Sequence, residues 1–148
     1  MDDENAAFRR SPKTVLVVED SPVQLLILVE LLERKGLMVI CATDGRMGLQ
    51  MAQKRHPDLI ILDIEMPEMD GLEVCRALKQ DEMLASIPII LFTSHVQPEV
   101  FVSGMQAGAI DFIPKDAFSE AVLVQTLVQL NFLTDQNELQ AQKSHLKK

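Results

Sequence analysis

Apolar positions along this chain gather into short unbroken runs instead of alternating with polar ones. Val15-Leu16-Val17-Val18, Leu59-Ile60-Ile61-Leu62 and Ile87-Pro88-Ile89-Ile90-Leu91-Phe92 are the clearest, with Ala109-Ile110-Asp111-Phe112-Ile113 a weaker fourth. Runs this short, rich in branched residues, read as strands covered on both faces, the pattern of central strands in a parallel sheet. With one more at 38–42, strands are predicted over 14–18, 38–42, 58–62, 88–92 and 109–113.

The intervening segments carry helix signals. Ser21-Pro22 supplies an N-cap with proline at the first helical position, opening a helix that reaches Arg34 and stops at Gly36. Further helices are expected over 45–55, from Gly71 to Asp81, over 97–107 ahead of Gly108, and from Ser119-Glu120 onward. Strands alternating with helices imply right-handed crossovers and an α/β fold, a doubly wound parallel sheet with helices on both faces. Residues 1–12 read as a flexible lead, 13–130 as the folded body, and 131–148 as a C-terminal helical extension or linker. In that extension Phe132, Leu139 and Leu146 recur every seven residues, but the second seam is polar at Gln136 and Lys143, a weak case for a coiled coil.

Polar chemistry sits where the runs end. Glu19-Asp20 follows the first strand, Asp63 the third, Thr93-Ser94 the fourth and Pro114-Lys115 the fifth. Open α/β sheets bind ligands outside the carboxyl ends of their strands, so these groups can converge on one sheet edge. Three carboxylates in one cleft raise one another's pKa values unless a cation neutralises them. An all-oxygen donor set suits a hard ion such as Mg²⁺. A carboxylate oxygen there can attack a phosphoryl group and hold it as an aspartyl phosphate. Lys115 would place a fixed positive charge on one phosphoryl oxygen, and Thr93 a hydroxyl hydrogen bond on another.

Together, Glu19-Asp20, Leu62-Asp63-Ile64-Glu65-Met66-Pro67 with Asp70-Gly71, Thr93-Ser94, and Phe112 with Lys115 resemble the receiver domain of two-component response regulators, the family that includes single-domain chemotaxis regulators. The resemblance runs from residue 13 to about 130 through five strand–helix repeats. It implies a flavodoxin-like sheet of order 2-1-3-4-5, which is the order carried by that fold type and is not fixed by the repeat alone. It implies that Asp63 accepts phosphate from a histidine kinase or histidine phosphotransfer protein. Asp20 and Asp63 would bind Mg²⁺ directly, with Mn²⁺ as a substitute; Glu19 would assist, and the backbone carbonyl of Glu65 would complete the protein ligands. Thr93 and Phe112 would move together when phosphate arrives. The fourth helix, fifth strand and fifth helix would then change shape for an output domain, a partner or a second copy, with the C-terminal helix as another contact. In this family the positions of Glu65 and His95 tune how long the phosphate survives.

Two positions depart from the pattern. Many relatives carry tyrosine where Phe112 stands, and in much of the family a proline follows the lysine in a cis peptide, where this chain has Asp116. A non-proline cis bond costs about 2.5–4 kcal/mol against roughly 0.5–1 for proline, which leaves the isomer of that bond open. A pseudo-receiver that keeps the fold but takes no phosphate is therefore the main alternative. A phosphohydrolase of the haloacid-dehalogenase type, loosely suggested by Asp63-Ile64-Glu65, would need an early motif and a cap.

Composition narrows the picture further. Net charge is −8 over 148 residues, and no basic patch marks a nucleic-acid binder. Hydrophobic content of 47% without a long uncharged apolar stretch, and an acidic start lacking a signal-peptide pattern, give the expectation of a soluble cytoplasmic protein with no membrane contact. Cys41 and Cys75 lack metal-ligand spacing; Cys41, on a predicted buried strand, is expected in the core, as are most of the eight methionines. Glu68 and Asp70 read as solvated loop charges, with Asp70-Gly71 shaping the turn, and His56 and His145 have no context for a phosphohistidine.

Overall fold

The computed structural model describes residues 12–134. Two compact units divide at Lys115/Asp116. In the first, β1 (Thr14–Val18), β2 (Met38–Ala42), β3 (Leu59–Leu62), β4 (Ile89–Thr93) and β5 (Asp111–Pro114) form one sheet. The strand order is β2-β1-β3-β4-β5. Every pairing is parallel. The crossovers are α1 (Pro22–Arg34), α2 (Gly45–Arg55), α3 (Gly71–Gln80) and α4 (Pro98–Gln106). This is the fold class that the apolar runs implied.

The reason for the unbroken runs is now visible. All four residues of β3 and all five of β4 are buried. On one face Leu16, Val18, Ile60, Leu62, Ile89 and Leu91 join Ala52 of α2 and Val74, Cys75 and Leu78 of α3 in one apolar cluster. The alternate residues Val15, Val17, Ile61 and Ile90 are buried as well. Helix α1 packs on β1 and β2 and buries Leu28, Leu31 and Leu32 outside that cluster.

Helix starts are set by side-chain caps. Ser21 Oγ accepts from the Gln24 N–H and Asp44 Oδ1 from the Met47 N–H, each satisfying an amide with no partner inside the helix. Asp70 is no free loop charge. Its carboxylate accepts from the Glu73 N–H at 2.9 Å while Glu73 Oε1 accepts from the Asp70 N–H at 3.3 Å, a reciprocal capping box at the start of α3.

Two core expectations fail. Cys41 is exposed. Its strand is the sheet edge, where Ile40 and Ala42 are buried while Cys41, on the opposite face, and Met38, at the strand's start, are exposed. Among the described methionines only Met66 is buried; Met38, Met47, Met83 and Met105 are exposed, because they fall on helix faces, loops or the sheet edge, away from the interior.

The second unit holds α5 (Ser119–Gln129). Asn131 takes a left-handed φ of 67°, and the Phe132 N–H donates to the Leu127 carbonyl at 2.9 Å, closing the helix as glycine usually would. The helix therefore stops well short of the chain end. All of the 1–12 lead but Pro12, and the recurrence every seven residues at Leu139 and Leu146, lie outside the described residues.

Losing the cap at α3 should register in solution. Asp70→Ala is expected to cost about 1 kcal/mol of stability, read as a lower urea midpoint at unchanged slope.

Candidate functional site

Strand ladders carry the functional residues past the strand ends to one edge. The Glu19 N–H donates to the Ala42 carbonyl at 3.0 Å and the Asp63 N–H to the Val18 carbonyl at 3.0 Å, so both carboxylates leave the sheet in register. On the far side the Lys115 N–H donates to the Thr93 carbonyl at 2.8 Å, which fixes the lysine just beyond β5. Every peptide bond among the described residues is trans, Lys115–Asp116 included.

Carboxylate oxygens of Glu19, Asp20 and Asp63 lie within 4.8 Å of one another. Glu19 and Asp63 are buried and Asp20 is exposed. The Lys115 ammonium donates to Asp63 Oδ2 at 3.0 Å and also to Glu19 Oε1. One positive charge therefore faces three negative ones. Burial pushes the Glu19 carboxyl up from its ordinary value of 4.5, and the Asp63 charge adds to the rise, while hydrogen bonds from Lys115 and from the Ser21 N–H pull it down. An all-oxygen cluster with excess negative charge and one open side fits a hard divalent ion with water completing its shell.

The loop after Asp63 is held at both ends. Asp63 Oδ1 accepts from the Glu65 N–H at 3.2 Å, and the Ile64 carbonyl accepts from the Gly71 N–H at 2.9 Å. A Cβ on Gly71 would run into the Asp63 carbonyl oxygen and would lie 2.7 Å from the Ile64 Cα, so only glycine lets α3 begin this close to Asp63. The Asp70-x-x-Glu73 spacing was the available sequence signal for this helix start.

Other expected site residues stand farther from the cluster. Thr93 is fully buried at the end of β4, and its hydroxyl accepts from the His95 N–H at 3.1 Å; no hydrogen bond joins it to Asp63 among the described residues. His95 Nδ1 lies 3.2 Å from Glu65 Oε1, so the side chains two residues past Thr93 and Asp63 meet each other. Phe112 is half-buried on β5, its ring edge-on to Phe101 at 5.4 Å between centroids. Phe101 and the Lys115–Glu19 ion pair escaped sequence reasoning, since neither follows from a local pattern.

The chain is similar to known proteins in sequence and fold. Residues 15–128 match the family model of the response regulator receiver domain. The protein PilH of Pseudomonas aeruginosa is 34% identical over 109 residues, covering 74% of this chain and 90% of PilH. The alkaline phosphatase synthesis transcriptional regulatory protein PhoP of Bacillus subtilis is 39% identical over 103 residues, covering 70% of this chain but only 42% of PhoP. Among solved structures, the receiver domain of a sensor histidine kinase from Pseudomonas aeruginosa PAO1, with a magnesium ion coordinated in its active site cleft, superposes with TM-score 0.73 at 28% identity, covering 80% of this chain and 97% of that one.

The raised Glu19 carboxyl has a measurable sign. A carboxyl that holds its proton more tightly when folded contributes most at low pH, and that contribution is lost as pH climbs from 4.5 through the raised value. Glu19→Gln cannot ionise and lacks this loss. In chelator-treated protein its stability relative to the parent is expected to rise with pH above 4.5, as read by urea titrations stepped across that range. A difference that stays flat would contradict the charge imbalance.

Proposed function

Because the chain belongs to the response regulator receiver domain family, we propose that it is a phosphorylation-dependent switch whose phosphoacceptor is Asp63. The observation that carries this reading is the contact of Lys115 with both Asp63 and Glu19 inside the carboxylate cluster. A phosphohistidine on a histidine kinase or phosphotransfer protein is the donor. An Asp63 oxygen attacks phosphorus; the N–P bond breaks with its electron pair going to the imidazole, which takes up a proton, and an acyl phosphate remains on Asp63. Glu19, Asp20, Asp63 and the Glu65 carbonyl would hold Mg²⁺, or Mn²⁺ in its place, which supplies charge neutralisation for the phosphoryl oxygens when bound.

The chain's own groups do the rest. Lys115 already points at Asp63 and stays with the phosphoryl oxygens once charge moves there. Thr93 releases the His95 amide and turns its hydroxyl toward the same oxygens, and Phe112 follows inward. The surface of α4 and β5 then changes for a partner, a second copy or an output domain. Such a step is a local charge event biasing a two-state element. The side chains of Glu65 and His95, two residues past Asp63 and Thr93, meet each other, and this pair sets the lifetime of the acyl phosphate. The intact site residues favour this reading over a pseudo-receiver. A turnover enzyme is not needed to explain any of them, and a cytoplasmic location fits a kinase-fed switch.

Incubation with acetyl phosphate and Mg²⁺ should add one phosphoryl mass, absent in Asp63→Asn and in chelator. Failure of the parent to gain mass or to bind beryllofluoride would leave the pseudo-receiver standing. His95→Ala is expected to change the adduct's decay rate several-fold, followed by intact mass against time. Mg²⁺ at about a hundred times its dissociation constant should stabilise the fold by roughly 2.7 kcal/mol, and Asp20→Asn should weaken that dependence.

A further inference from the structure

Helix α4 presents Phe101 and Gly104 three residues apart, on one side of the helix. Gly104 is buried, and a Cβ there would meet Leu91 Cδ1 at 2.5 Å and Phe112 Cδ2 at 3.6 Å. Leu91 is also the register partner of Phe112 across β4 and β5. The Phe112 ring therefore lies against bare helix backbone on one side and meets the ring of Phe101, inclined at 68°, on another. Phe101 is itself 47% exposed, so its outer face lies in water. Thr93, two residues beyond Leu91, is bound to its own loop through the His95 N–H.

Resting on the switch reading above, we propose that Phe101 is a positioning residue that holds Phe112 in the resting state, so that inward movement of Phe112 must break the ring contact. The contact then belongs to one state of the pair. Whatever stabilises only the resting state lowers the population able to take the phosphoryl group, and weakens apparent affinity by the same factor. An edge-to-face aromatic pair of this geometry translates into a factor of roughly two to ten.

The test is beryllofluoride affinity of the full chain in Mg²⁺, with thermal unfolding recorded beside it. Phe101→Ala is expected to bind roughly two- to tenfold more tightly than the parent. Phe101→Leu keeps apolar bulk without a ring edge and should behave the same way, which keeps the test open if the alanine variant folds poorly. Phe101→Tyr retains the ring with its hydroxyl in water and should restore parental affinity. Val102→Ala, at a neighbouring exposed position, should leave affinity unchanged. Mere damage to the fold lowers affinity and melting temperature together, so tighter binding is not its signature. Unchanged or weaker binding in both Phe101→Ala and Phe101→Leu overturns the proposal. A parent that binds no beryllofluoride overturns the phosphoacceptor reading beneath it instead.

Discussion

At the carboxyl edge of the sheet one ammonium answers three carboxylates. Lys115 reaches Asp63 and Glu19, and Asp20 stands in the same cluster, so the site is left with more negative charge than its own cation can answer. Burial makes that imbalance harder to relieve by solvent, which is why the Glu19 carboxyl holds its proton above the ordinary range. The imbalance is also what makes the cluster suited to a hard cation. A second positive partner supplied by the protein would quiet the cluster and weaken the case for a metal there.

The sheet makes such a cluster affordable by placing each charge on a different strand end. Parallel strands all point their carboxyl ends the same way, so residues far apart in sequence arrive at one edge without any long loop. Glu19 and Lys115 are separated by 96 positions yet share an ion pair. Backbone ladders continuing past the last strand residues hold Glu19, Asp63 and Lys115 at that edge. Precision at the site is thus inherited from the buried core beneath it.

The same geometry explains what the amino-acid sequence disclosed. Strands buried on both faces tolerate no polar alternation, so β1, β3 and β4 stood out as apolar runs, and the polar residues ending them could only lie at the sheet edge. Edge position was not legible in the apolar pattern, though the order implied by the resemblance already put 38–42 at the edge; the run reads as apolar, yet Cys41 is exposed because β2 has a neighbour on one side only. Asn131 closing α5 was missed because left-handed conformation is expected first of glycine. The sequence marks Asp70 as a solvated loop charge that helps shape the turn, and its capping role shows only once Glu73, three residues on, is seen to answer it. The Phe101–Phe112 contact joins a helix to a strand through space, and no periodicity announces it.

The close approach at Gly71 has a consequence for how this protein can change over time. Its amide is tied to the Ile64 carbonyl, and its missing side chain leaves room for the Asp63 carbonyl, so the start of α3 and Asp63 are a single mechanical piece. A substitution that slides α3 to suit a new neighbour also displaces Asp63, however far from its carboxylate it falls. A helix surface whose first turn touches no residue of the carboxylate cluster can vary without that effect. The α3 surface can do so only along paths that leave its first turn where it is, which makes this helix a conservative choice for carrying specificity.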